Sequence, residues 1–281
     1  MTLFAAHLLG DFVFQSAKVA MKKSRMNRQM IAHMLIQLFM TSCAMVVIVS
    51  SSPVAGGKAL AMGIALVLFH WIVDMVKVEL DALFQKRFHY FSLFSFVIDQ
   101  ALHVFAILIA LFFLKMITPS TFVKTAYALI KAHPIALTPL GHMLAVGIMM
   151  LLATRFSGFL VGKLVGPQPR QGLVETEKKL VLTTVFPSKE AADTAKSEVT
   201  YMHMAEPDPG RGALIGYLER LIVMFLVCGQ AYAAIAFIAT AKSLVRFKQM
   251  EHREWAEYFL VGTLSSMLLG LLAGHILRAL M

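Results

Sequence analysis

The sequence predicts an all-α, polytopic helical membrane bundle with about eight membrane segments. Three observations carry that prediction. Of 281 residues, 58% are hydrophobic and only 15% are charged, whereas a soluble globular domain carries about 25% charged residues. The mean hydropathy is +0.72. Apolar runs recur along the whole chain, and a bilayer crossing takes about 20 such residues. This composition excludes a secreted, disordered or nucleic-acid-binding protein. The net charge of +10, from 26 Lys and Arg against 16 Asp and Glu, is of the kind that a multi-pass protein collects in its cytoplasmic loops. Cys43 and Cys228 both lie inside apolar runs, so neither a disulfide framework nor a Cys-x-x-Cys metal site is available.

The first segment, about 2–17, is short and holds Asp11 and Gln15. It has no basic region before it and no small-residue cleavage site, so it reads as a retained segment rather than a signal peptide. Longer segments follow near 29–50, 57–80, 92–115 and 140–165. Segments 213–229 and 231–247 form one apolar stretch broken at Gly229 and Gln230, and 255–277 is the last. Basic residues cluster at Lys18, Lys22, Lys23, Arg25 and Arg28, at Lys77, Lys86 and Arg87, and at Arg246, Lys248 and Arg253. The positive-inside rule places these loops in the cytoplasm. Alternation then puts 51–58, 116–139 and the Gly229 hairpin outside, 166–212 inside, and both termini outside.

The chain so divides into a four-segment membrane domain (1–115), an outer loop with the fifth span (116–166), a polar cytoplasmic loop or small subdomain (167–212) and a three-span unit (213–281). Within the polar loop, 179–186 reads as a strand and 188–199 as a short helix capped by Ser188. That loop is the expected contact for a cytoplasmic protein partner. Membrane lipids are the other expected partners.

Ionisable residues within spans are costly and mark functional sites by default. Here they come in pairs four residues apart: His7 with Asp11, His70 with Asp74, and Asp99 with His103. That spacing sets both members on one face of a helix. Each pair joins an imidazole to a carboxylate, the donor mixture that suits Zn, Fe or Mn, and His33 adds another imidazole. The predicted topology brings all of them to a similar depth in the cytoplasmic half of the membrane. The expected metal ligands are therefore His7, Asp11, His33, His70, Asp74, Asp99 and His103. Asp74 and Asp99 are the candidate catalytic carboxylates, one left unligated to act as general base toward metal-bound water. Two other readings of these residues stay open: a polar structural network between helices and an ion or proton path. Gln15 and Gln100 are expected to hydrogen-bond in the same pocket. Lys77 is expected to snorkel toward the interface, with a lipid or substrate phosphate as the alternative.

The ordered motifs are His7-Leu-Leu-Gly-Asp11-Phe-Val-Phe-Gln15, the basic stretch leading to His33, His70-Trp-Ile-Val-Asp74-Met-Val-Lys77, and Asp99-Gln100-Ala-Leu-His103. In these, residues 1–115 resemble the bacterial membrane family known as domain of unknown function 3307. The resemblance implies a multi-pass protein of the bacterial inner membrane and no particular activity. The long loop after the fifth span departs from shorter members of that family.

A second polar set comprises Glu219, Arg220, Lys242, Arg246 and Glu257. Buried Glu and Lys here are expected to pair, while Arg220 and Arg246 are candidates to receive a phosphate or phospholipid head group. Gly158, Gly162 and Gly166 form a small-residue ladder that predicts close helix packing. His133, His142, His203, His252 and His275 have no partner at helical spacing and are left out of the site. The functional expectation is a membrane-embedded, metal-dependent hydrolase acting on a lipid or lipid-linked substrate from the cytoplasmic side. An ion- or proton-coupled transporter and a membrane scaffold with a polar helix core are the alternatives.

Overall fold

The computed structural model describes residues 1–14, 28–85, 88, 90–166, 209–251 and 253–281. Among them every regular element is helical. In chain order these are α1 (Thr2–Phe12), α2 (Arg28–Ser51), α3 (Gly56–Phe84), α4 (Phe91–Phe113), α5 (Pro119–Lys131), α6 (Pro139–Val165), α7 (Pro209–Cys228), α8 (Tyr232–Val245) and α9 (Arg253–Leu280). A short 3₁₀ turn, Phe247–Glu251, joins α8 to α9. Gln15, Lys18, Lys22, Lys23, Arg25, Lys86 and Arg87 lie outside the described residues, as do the strand expected at 179–186 and the helix expected at 188–199.

Five helices, α2, α3, α4, α6 and α9, are long and apolar enough to cross a membrane. The other three expected segments are helical as well. α1 has 11 residues, α8 has 14, and α7 carries Glu219 and Arg220 within its apolar run. The break expected at Gly229 and Gln230 separates α7 from α8, with Gln230 in the left-handed region at φ 57°.

The expected outer loop contains a helix that the span-length ruler passes over. α5 starts at a capping box in which Thr118 and Thr121 satisfy each other's backbone N–H groups, with Pro119 at the first turn. It stops at Ala132, whose φ of 50° is incompatible with a further helical turn. None of its residues is buried. It is tied to α9 through Ile130, whose carbonyl accepts from His275 Nε2 at 3.0 Å.

Two apolar cores hold the helices together. Leu3 and Ala6 of α1 pack with Met45 and Ile48 of α2, Ala59 of α3 and Ile107 of α4. Met224 of α7 packs with Ala145 and Met149 of α6 and Leu277 of α9. α1 bridges the two, because Leu8 and Phe12 meet Phe96 of α4 and Ile148 and Phe156 of α6. The expected small-residue ladder packs closely at one of its three positions. A side chain at Gly158 would run into Tyr217, whereas at Gly162 and Gly166 it would meet nothing among the described residues. A closer approach is on α9, where a methyl group at Gly274 would sit 2.7 Å from the Met224 carbonyl oxygen of α7.

Candidate metal centre

Four helices bring seven ionisable side chains to one point. α1 supplies His7 and Asp11, α2 His33, α3 His70 and Asp74, and α4 Asp99 and His103. The fourfold spacing within α1, α3 and α4 directs both members of each pair to the shared axis. Six of the seven are buried outright, His33 to 1% exposure, and the Asp11 side chain is 10% exposed.

The tightest grouping involves His33, His70, Asp11 and Asp74. His33 Nε2 lies 3.0 Å from His70 Nε2, 3.5 Å from Asp11 Oδ1 and 3.3 Å from Asp74 Oδ2. His70 Nε2 lies 3.6 and 3.7 Å from the same two oxygens. His7 and His103 stand beside this group: the His103 ring centre lies 4.1 Å from that of His70 and 4.9 Å from that of His7, tilted by 34° and 38°. Three overlapping sets have donor atoms within 4.8 Å of one another: Asp11, His33 and His70; His7, His70 and His103; Asp74, Asp99 and His103. All seven expected ligands therefore fall in one continuous cluster.

Side chains around the cluster fix the carboxylates. Gln37 donates its amide N–H to Asp11 Oδ1. Gln100 Nε2 donates to Asp11 Oδ2 at 3.2 Å and to Asp99 Oδ2 at 3.1 Å, while its Oε1 lies 3.3 Å from His7 Nε2. Lys77 turns inward and donates to Asp99 Oδ2 at 2.7 Å. That corrects the snorkelling and phosphate-binding readings: the Asp99 carboxylate, 3% exposed, is costly to bury unpaired, and the Lys77 ammonium pairs with it. Gln37 is absent from the sequence reading, although it stands four residues after His33, the same spacing that marked the other pairs. Gly10 makes its reach possible, since a Cβ there would lie 2.5 Å from the Gln37 amide nitrogen.

Not every polar atom is used. Among the described residues, nothing hydrogen-bonds to buried His33 Nδ1, Asp99 Oδ1 or either ring nitrogen of His103, although buried polar atoms are nearly always paired. A cavity of about 30 Å³, room for a water or two, opens against His7, Gln37, His70 and His103. Donors of this type and number, with ligand atoms within 4.8 Å of one another in each of three overlapping sets, fit a divalent cation.

The second polar set divides. Lys242 pairs with Glu219, and its ammonium lies 5.6 Å over the Phe259 ring, with the Arg246 guanidinium at 5.9 Å. Arg220, 4% exposed, points the other way. Its Nε donates to the Ala153 carbonyl, Nη2 to that of Thr154 at 3.3 Å and Nη1 to Ser266 Oγ at 2.9 Å. Ala153 and Thr154 belong to a π-helical turn, Leu152–Phe156, inside α6. Such a turn displaces carbonyls from their usual partners, and the guanidinium takes them up. Glu257 is at the surface, bonded to Arg253 at 2.8 Å, and does not join Glu219 and Lys242. Of the histidines left out, His275 bonds the Ile130 carbonyl and His133 stacks on Tyr127. His203 and His252 lie outside the described residues.

Residues 1–130 match the family described as "Protein of unknown function (DUF3307)". The match covers α1–α5 to within one residue, including every helix that supplies the cluster, so this segment is similar to that family, as the four motifs indicate. Neither curated proteins nor solved structures offer a match.

Proposed function

We propose that this segment builds a divalent metal centre within the membrane and that the protein is a metal-dependent hydrolase acting on a lipid or lipid-linked substrate. The observation that supports it most is a set of distances. With metal–ligand bonds of about 2.0–2.2 Å, a tetrahedral site has ligand–ligand edges 1.63 times longer, or about 3.3–3.6 Å. The five separations among His33, His70, Asp11 and Asp74 run from 3.0 to 3.7 Å. These four residues would hold the ion, which would supply a Lewis acid and a water of pKa near ~7.

Charge supports a single ion. Asp11, Asp74 and Asp99 carry three negative charges and Lys77 one positive charge, leaving two for one divalent cation to neutralise. With Lys77 on Asp99 Oδ2, Asp99 Oδ1 faces His103 Nδ1 at 3.8 Å. His103 borders the cavity. In this reading Asp99 orients His103, and His103 holds the proton of a water in that cavity. Asp74 belongs both to the tight grouping and to the neighbouring Asp99–His103 set, so it would link the ion to His103. In this reading the cluster lies on the cytoplasmic side of a bundle of eight segments, a setting that the five apolar helices and the basic loops support.

The test is to purify the protein in detergent without added metal and to measure bound metals by mass spectrometry alongside fatty-acid release from phospholipid vesicles. The expected result is about one Zn, Fe or Mn per chain, lost in Asp74→Ala, with lipid hydrolysis abolished in His103→Ala while that variant keeps its metal. Metal-free wild type, or ion flux in place of hydrolysis in proteoliposomes, would overturn the reading.

A further inference from the structure

Two apolar depressions lie along the seam between α2 and α3. The inner one, of about 270 Å³, is bounded by Met34 and Leu35 of α2 and by Leu68 and Trp71 of α3. The outer one, of about 410 Å³, is bounded by Val46 and Val49 of α2 and by Leu60 and Ile64 of α3. Leu38 lines both, so they form one furrow. Its walls face outward: Leu35, Val46 and Leu60 are 61%, 68% and 65% exposed. From Met30 to Ser50 the furrow follows α2 over a rise of about 30 Å, the thickness of a hydrocarbon core. Both helices are apolar enough to cross a membrane, and there the medium that fills such a furrow is hydrocarbon.

The furrow is continuous with the polar cluster. Val67 lines both the inner depression and the small cavity beside His70 and His103. Thr41 lines both the outer depression and that same cavity. One layer of side chains therefore separates the lipid-facing furrow from the proposed metal centre. The meeting point, at Thr41, is about 16 Å along the furrow from Met30 and about 14 Å from Ser50. A single acyl chain, roughly half the core thickness in length, therefore occupies one half of the furrow and reaches the cavity wall with its far end.

We propose that the α2–α3 furrow seats one hydrocarbon chain of an acyl lipid, which approaches the centre sideways from the bilayer and lies against the wall of the cavity beside His70 and His103. The choice of substrate class rests on the hydrolase reading; the seat itself rests only on the furrow.

The test uses the full chain in vesicles of phosphatidylethanolamine and phosphatidylglycerol containing a phospholipid with a diazirine on its acyl chain. After irradiation, labelled residues are mapped by mass spectrometry. Labelling should concentrate several-fold on the furrow relative to Phe105 and Ile109 on the exposed face of α4. Leu38→Trp and Val46→Trp, which fill the furrow from two positions, should each remove that excess while metal content and melting temperature stay at wild-type values. Equal labelling of furrow and α4 face, or furrow labelling unchanged in both variants, would overturn the seat. Metal-free wild type with a labelled furrow would remove the hydrolase reading and leave the seat standing; metal-loaded protein with uniform labelling would do the reverse.

Discussion

In α7–α9, Lys242 closes on Glu219 and Arg220 gives three of its N–H groups to Ala153, Thr154 and Ser266. In α1–α4, by contrast, His33 and His103 keep ring nitrogens without partners among the described residues, and two imidazoles face each other at 3.0 Å between two carboxylates. Both sets use charged side chains on apolar helices. One has spent its hydrogen-bonding capacity within the protein, as a structural pairing does; the other keeps buried ring nitrogens unused beside a cluster of close donor atoms, as a ligand site does. Charge and burial alone would not separate them. The accounting of lone pairs and N–H groups does.

The largest expected effect breaks the open set. His33→Ala removes a donor central to the tight grouping, and bound metal should fall at least about tenfold, read by mass spectrometry. Lys242→Met, the matching change in the closed set, should leave metal content at the wild-type value. Next comes Arg220→Ala, which strands the Ala153 and Thr154 carbonyls in an apolar interior. We expect a loss of about 3 kcal/mol in stability, measured by thermal melting in detergent, with metal per folded chain unchanged. If Arg220→Ala instead released metal without lowering the melting temperature, the division between the two sets would fail. Gly10→Ala sharpens the comparison from within the cluster: displacing Gln37 from Asp11 should weaken metal binding by roughly tenfold, seen in a competitive chelator titration. The smallest effect belongs to Arg253→Ala. Its bond to Glu257 is fully exposed to solvent, and melting should not shift measurably.

Much of this was legible in the sequence because two signals in it are periodic. Hydropathy over about twenty residues located α2, α3, α4, α6 and α9, and the fourfold spacing of His with Asp located the cluster. What escaped notice lacked one or the other. α5 is too short for the span ruler, although Thr118 and Pro119 signal its start. Gln37 obeys the spacing but carries no charge, so a search for ionisable pairs missed it. The close-packed glycines could not be told apart by pattern: Gly158, Gly162 and Gly166 repeat as regularly as Gly270 and Gly274, and only the neighbouring helix decides which of them is crowded. Glu257 was grouped with Glu219 by depth, while its rotation around α9 directs it to Arg253 instead.

The π-helical turn at Leu152–Phe156 acts as a change of phase. An α-helix advances by roughly 100° per residue, and such a turn accommodates one residue more than a regular one. The two halves of α6 are therefore indexed to different neighbours. Met149 and Ala153 answer to Met224 and Leu277, while beyond the turn Gly158 meets Tyr217 and Lys163 reaches Ser92 on α4. Deleting Thr154 alone would restore an unbroken α-helix with almost the same composition. It would also swing the whole second half by about a quarter turn, carrying Lys163 away from α4, so that the shorter and locally more regular helix would be the one that no longer fits.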